Sequence, residues 1–263
     1  MTGLVKDNMI LDKIIETKND EVAQLKKHTT AAALEKAIEK LPPCRNFEKA
    51  VSGKDCSIIA EVKCSSPSRG RLIADFDPLK IAAIYEQNGA AAISVLTDEK
   101  YFCGHKDYLK KIKKEVGLPV LRKDFIVDPL QIYETRAIGA DAILLIARVL
   151  GQKLAEFISL AKELGLSTLT EVHTEKELDL ALAADAKIIG INNRNLDTFV
   201  TDINTSRKLL CQIPAGTIVV AESGIVSRAD IDLLMQDGIY SFLIGEALIT
   251  APDIGKKLQE LKG

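Results

Sequence analysis

Between residues 58 and 70 the chain reads IIAEVKCSSPSRG. An apolar run leads into Glu61 and Lys63, two residues apart, and then into a serine-rich loop that closes on Gly70. On a strand, residues i and i+2 point to the same face, so this carboxylate and this ammonium group share one location at a strand end. Other apolar runs end in the same manner. They close on Arg122-Lys123-Asp124-Phe125, on Glu171, on Asn192-Asn193-Arg194-Asn195, on Glu222-Ser223-Gly224 and on Gly245-Glu246, and the stretch SVLTDEKYFCG adds Phe102. Glu61, Lys63, Lys123 and Glu171 together supply general acids and bases whose protonation is tuned by burial and by one another. A lysine beside another cation has its pKa drawn toward the working pH, and Lys63 is expected to act on Lys123 in that way.

Two sub-sites flank this set. Ser223-Gly224 and Gly245-Glu246 are small-residue turns where backbone N–H groups can approach an anion, and Ser66 adds a hydroxyl. Asn192 and Arg194, again two apart, offer an amide and a guanidinium fork suited to a planar carboxylate. Taken singly, a charge at a strand end meets water and needs no function, and a glycine there serves a tight turn. The conjunction over five strand ends, after strand bodies that are almost wholly apolar, points to a metal-free enzyme. Its substrate is a small phosphorylated molecule and its chemistry is proton transfer.

The elements that must hold these groups follow from periodicity. Apolar strands are expected at 58–63, 91–96, 119–122, 142–147, 167–171, 187–191, 217–221 and 240–244, with helical patterns at 78–88, 107–116, 129–138, 152–164, 175–184, 204–210 and 227–236. Pro78 and Pro129 each follow an Asp, a cap followed by a first-turn proline. Gly89, Gly139 and Gly238 each separate a helix from the next strand, where a left-handed residue is needed. Strands apolar on both faces and joined by helices make a parallel sheet, and eight of them close most naturally into a single (β/α)8 barrel, here residues 58–263. A doubly wound open sheet competes, but no GxGxxG follows the first strand. Residues 1–57 form an amphipathic helical extension, either packed on the surface or covering one end of the barrel.

Composition narrows the partners. The 35 basic and 37 acidic residues nearly cancel, so no basic field for nucleic acid is present. Five cysteines without CxxC spacing and three scattered histidines form no metal motif, and a reduced, cytoplasmic setting fits them. No apolar run reaches membrane-spanning length, no signal-peptide core opens the chain, and no fused second catalytic domain is expected.

In sequence the motifs IIAEVKCSSPSRG, SVLTDEKYFCG, LPVLRKDFIVD, LTEVH, IGINNRNL, VAESGI and FLIGEALI resemble, in that order, the indole-3-glycerol-phosphate synthase family. The resemblance runs from ILDKIIETKNDEV to the final helix. It implies a (β/α)8 barrel whose N-terminal extension covers the mouth, and a lyase of tryptophan biosynthesis needing no cofactor. The reaction implied is closure of 1-(2-carboxyphenylamino)-1-deoxyribulose 5-phosphate to an indole with loss of carbon dioxide and water. By resemblance Lys123 is the acid that protonates the ribulose carbonyl, and Glu171 works in the later dehydration. Glu61 and Lys63 are the pair that orders the site and takes part in proton transfer. Asn192 and Ser223 join the catalytic set, Asn192 and Arg194 lie near the anthranilate portion, and Glu222 lines the pocket. Ser66, Gly224, Gly245 and Glu246 are implied at the phosphate, Glu246 through its backbone only. Phe102, Phe125 and Leu196 wall the aromatic ring. The resemblance is compatible with a monomer or a homodimer.

Two departures stand out, Cys64-Ser65 after the strand-one lysine and His105 where a small hydroxyl residue is usual. Neither occupies a catalytic position, and Cys64 reads as an inert thiol. A sugar-phosphate isomerase would need one acid–base pair and release no carbon dioxide. A non-catalytic phosphate binder would explain the glycines and Arg194 but not two lysines and two carboxylates at one mouth.

Overall fold

A computed structural model describes residues 10–195, 198 and 200–263. The chain opens with three helices, α1 (Ile10–His28), α2 (Ala31–Ile38) and α3 (Phe47–Val51). The barrel strands follow: β1 (Ser57–Val62), β2 (Ala92–Leu96), β3 (Val120–Lys123), β4 (Ala142–Ile146), β5 (Ser167–Val172), β6 (Ile188–Asn192), β7 (Ile218–Glu222) and β8 (Ser241–Ile244). Each pairs in parallel with its sequence neighbours, and β8 pairs with β1, so the sheet closes.

Between the strands lie α4 (Pro78–Gln87), α5 (Lys106–Glu115), α6 (Pro129–Ala137), the short α7 (Ala147–Leu150) with α8 (Leu154–Glu163), α9 (Glu175–Ala183), α10 (Asn204–Leu210) and α11 (Arg228–Gln236). The four-residue α12 (Glu246–Ile249) and α13 (Ile254–Lys262) end the chain. The expected caps form. Asp77 accepts from the backbone of Leu79 and Lys80, Asp128 closes a capping box with Gln131, and a proline opens each helix. Gly89 and Gly139 take φ of +82° and +92°, the left-handed step from helix into strand.

Alternation along the strands divides the core in two. Ile58, Ala60 and Val62 face outward onto the helix layer, while Ile59 faces the barrel interior with Ala92, Leu121, Ala142, Leu169, Ile188 and Val220. That alternation carries Glu61 inward above Ile59, and by the same logic Lys123 above Leu121, Glu171 above Leu169, Asn192 above Ile188 and Glu222 above Val220.

Four strands run one residue further than the expected boundaries, and three of them end on a polar side chain, Lys123, Asn192 and Glu222. Polar side chains read as loop in sequence, yet the ladder continues through Leu96↔Lys123 and Asn192↔Glu222. Backbone pairing is indifferent to side-chain polarity, and these three candidate side chains are thereby seated on strand rather than on loop.

The N-terminal helices serve both ends of the barrel. α1 lies at the mouth, where Ile10, Leu11 and Ile14 line the cavity described below. α3 closes the opposite end, its Phe47 and Val51 packed with Ile59, Ala92, Leu121 and Ala142, and the Ser241 hydroxyl donates to the Val51 carbonyl at 2.6 Å. Asn46 caps α3 by accepting from Lys49 N–H.

Candidate active site

At the C-terminal ends of the strands the barrel opens into a cavity of about 570 Å³. Every candidate residue among those described lines it: Glu61, Lys63, Ser66, Phe102, Lys123, Phe125, Glu171, Asn192, Arg194, Glu222, Ser223, Gly224, Gly245 and Glu246. Leu196 lies outside the described residues.

Lys123 reaches two of the carboxylates in this set. Its Nζ donates to Glu222 Oε2 at 3.0 Å and to Glu171 Oε2 at 3.4 Å. Lys63 does not set its protonation. Lys63 Nζ instead meets Glu61 Oε1 at 2.5 Å, the same-face pair that the i, i+2 spacing implied. This overturns the expectation that Lys63 draws the Lys123 pKa down. Burial alone would lower it, but the Glu222, Glu171 and Glu61 carboxylates outweigh burial and hold Lys123 above the ordinary lysine value.

The three carboxylates are not equivalent. Glu61 and Glu171 are both buried, which would raise their pKa values, yet Lys63 and Lys123 beside Glu61, and Lys123 and His173 beside Glu171, hold both below the usual range. Glu222 goes the other way. Burial, reinforced by its Glu171 neighbour and opposed by Lys123, pushes it up to about 7. Its second oxygen, Oε1, is buried without a hydrogen-bond partner and lies over Gly190, where any Cβ would collide with it. A carboxyl group near neutrality in its titration, against a fully charged lysine, can exchange a proton within the cavity.

The small residues are placed as tightly. Gly245 faces Glu61, and a Cβ there would collide with that carboxylate, so the glycine gives Glu61 room besides leaving the backbone open to an anion. Ser223 holds φ of +65° and Gly224 +77°. A serine in this region costs on the order of 1–3 kcal/mol and marks a turn held by its surroundings. The Asn193 amide donates to the Ser223 carbonyl at 3.0 Å. Phe102 and Phe125 stand side by side, ring centroids 6.1 Å apart, as one aromatic wall.

Asn192 and Arg194 separate more than their spacing implies. Asn192 accepts from Arg194 N–H at 3.0 Å and lies beside Glu171, whose pKa it helps to lower, while the Arg194 guanidinium reaches across to Glu246 at 3.3 Å. Arg69, from the loop after β1, meets the same carboxylate at 2.9 Å. Two guanidinium groups thus offset the negative charge of Glu246 beside the proposed anion position.

The family model for indole-3-glycerol phosphate synthase matches residues 11–261. This chain belongs to the indole-3-glycerol phosphate synthase family. The indole-3-glycerol phosphate synthase of Desulforamulus reducens is 50% identical over 256 residues, covering 96% of this chain and 97% of that protein. The one from Chlorobium chlorochromatii is 51% identical over 242 residues, covering 90% and 94%. Among solved structures, a mutant tryptophan synthase α-subunit from Pyrococcus furiosus matches with a TM-score of 0.60 at 18% identity, over 79% of this chain and 98% of that one. At that identity the likeness speaks for the barrel alone.

Several residues that build this synthase-family site carry no motif of their own. Lys18, on α1, is 1% exposed and meets Asp98 Oδ2 at 2.8 Å and Asp124 Oδ1 at 3.0 Å. Asp98 also accepts from the backbone of Tyr101 and Phe102, which shapes the loop carrying Phe102. Asp124 follows Lys123 and is shared with Arg122 and Thr97. In sequence Lys18 is one lysine among many on an amphipathic helix, and only its i, i+4 spacing to buried Ile14 and Val22 marks it as inward-facing. His173 is likewise one scattered histidine, although it stands two residues after Glu171.

The two departures have local explanations. His105 caps α5, its Nδ1 accepting from Asp107 N–H at 3.0 Å where a hydroxyl would serve. Cys64 is buried, and burial pushes its thiol up, away from the reactive thiolate.

Proposed function

We propose that Glu61, Lys63, Lys123, Glu171, Asn192 and Ser223 carry the chemistry of ring closure in this protein. As a member of its family the protein is a carboxy-lyase of tryptophan biosynthesis. It closes 1-(2-carboxyphenylamino)-1-deoxyribulose 5-phosphate to indole-3-glycerol phosphate with loss of carbon dioxide and water. The observation that supports the residue assignment is the position of Lys123, a half-buried cation lining the cavity within 3.4 Å of two carboxylates.

In this reading the ribulose carbonyl lies at Lys123. The aryl carbon bearing the carboxylate attacks it, the new carbon–carbon bond forms, and Lys123 delivers a proton to the oxygen. Carbon dioxide leaves, returning its bonding electrons to the ring. The hydroxyl then departs as water with a proton from Lys63, while ionised Glu171 removes a proton from the methylene beside the nitrogen. Asn192 orients Glu171. The phosphate is held by Ser66 and by the backbone at Gly224, Gly245 and Glu246, and the backbone turn at Ser223 shapes that end. Phe102 and Phe125, with Arg194, bound the anthranilate portion, and Glu222 lines the pocket. Residues 1–57 act as an extension of a barrel formed by 58–263, and α1 covers its mouth. We place the protein in the cytoplasm, as a monomer or homodimer, on the strength of its five free thiols and its biosynthetic role.

Steady-state kinetics of two variants test the central assignment. Lys123→Ala is expected to lower kcat by roughly 10²–10⁴-fold, the range for loss of one acid–base group. Lys123→Arg keeps the charge but cannot release a proton, and is expected to lose nearly as much. If the arginine variant keeps more than about a tenth of kcat, Lys123 is an electrostatic stabiliser and the proton comes from elsewhere.

A further inference from the structure

Two strand ends carry the same three-residue pattern. β1 reads Glu61-Val62-Lys63 and β5 reads Glu171-Val172-His173, each a glutamate two residues before a basic side chain. In an eight-stranded closed barrel, strands one and five stand opposite each other. At β1 the pattern yields a tight ion pair. At β5 the histidine is buried between two carboxylates. His173 Nδ1 lies 2.9 Å from Glu177 Oε2, and Nε2 lies 3.2 Å from Glu171 Oε1, a close ion-pair contact somewhat off the line of a straight hydrogen bond.

We infer that His173 is a positioning residue for the ring closure: as an imidazolium clamped between Glu177 and Glu171, it fixes the orientation and the ionised state of the Glu171 carboxylate. The inference rests on the role assigned above to Glu171. The geometry argues it directly. A neutral imidazole has one N–H. If that proton served Glu177, the Nε2 lone pair would face a carboxylate oxygen at 3.2 Å in a buried setting, a repulsion that protonation turns into attraction. Burial alone would lower the imidazole pKa, but the two carboxylates outweigh it and raise it to about 9.

A purely local reading of the contact exists, because Glu177 also belongs to the first turn of α9. It accepts from His173 N–H at 2.7 Å and lies in the turn capped by Thr174. That reading accounts for Nδ1 but leaves Nε2 against Glu171 without a purpose. The charged neighbours of the pair are Glu177 from α9, Lys123 from β3, Glu61 from β1 and Glu222 from β7. Asn192 adds an amide from β6, α7 carries Arg148, and α8 carries Glu156 in its first turn.

The test uses the full chain and begins with ¹⁵N NMR of labelled histidine across about pH 5–10, with His173→Gln identifying the signal. Both His173 ring nitrogens should be protonated at neutral pH and titrate near 9. In kinetics, His173→Gln should lose roughly tenfold or more in kcat with little change in KM, because the carboxylate is misplaced rather than the substrate unbound. Its acid limb should move up by roughly 1–3 pH units as Glu171 loses a cationic neighbour. Stability supplies a separate readout. A folded-state pKa raised to about 9 gives stability that is full below the unfolded value of about 6.5 and lost as pH rises through 9, and the variant should lack that loss. Glu177→Gln keeps the imidazole and removes its outer partner, so the histidine titration and the alkaline loss should both move down in pH. A neutral His173 at pH 7, or a His173→Gln enzyme with unchanged kcat and pH profile, overturns the proposal and leaves Glu171 standing. A fully active Glu171→Gln enzyme removes both together.

Discussion

The N-terminal extension meets the two ends of the barrel through opposite kinds of contact. At the base, α3 sets Phe47 and Val51 against a ring of inward-facing apolar residues, and hydrocarbon packing dominates. At the mouth, α1 pushes the ammonium group of Lys18 between Asp98 and Asp124, which continue through Arg122 to Glu134 and Lys106. Apolar contact is forgiving in direction and proportional to the area buried. A buried charge network costs desolvation and is stable only when every partner is in place, and in return it fixes geometry. The end away from the proposed site is sealed by the first kind of contact. The end that holds the proposed site is held by the second, at the two segments that carry Phe102 and Lys123.

Breaking the mouth network should have the largest effect. Lys18→Met leaves Asp98 and Asp124 facing each other in a buried site, a loss of about 3–5 kcal/mol for an orphaned partner. The same variant should raise KM, because the loop bearing Phe102 loses the anchor of Asp98. Denaturant unfolding with kinetics at a temperature where the variant is folded checks both; a KM equal to wild type would detach α1 from substrate binding.

Phe47→Ala attacks the base alone. Removing a fully buried aromatic ring costs about 3–5 kcal/mol, with kcat and KM unchanged while the protein stays folded. A kinetic change of the size seen for Lys18→Met would show that the two ends are coupled. The mildest probe is Asn46→Ala, which removes the α3 cap and should cost about 1 kcal/mol without altering turnover. Its midpoint shift in urea, measured beside Phe47→Ala, sharpens how much of the base depends on the helix and how much on the ring.

Much of this protein was legible in one dimension. Strand and helix order, barrel closure, Asp-Pro caps and left-handed glycines all depend on interactions a few residues long, and these are written in local spacing. The candidate site was legible for a related reason. Closing eight parallel strands brings their C-terminal ends to one mouth, so a polar residue after an apolar run is already assigned a place. The Glu61–Lys63 pair was already implied by the i, i+2 spacing, but tertiary structure alone decided the other meetings. Lys123 sits among carboxylates that hold its pKa up; Arg194 turns to Glu246; Lys18 reaches across 80 residues to Asp98; and Glu222 is pushed up where Glu171 is held down. Spacing states which face a side chain leaves from, but the pKa and partner of a buried charge are set by every other charge within a few ångströms. Those neighbours come from different strands.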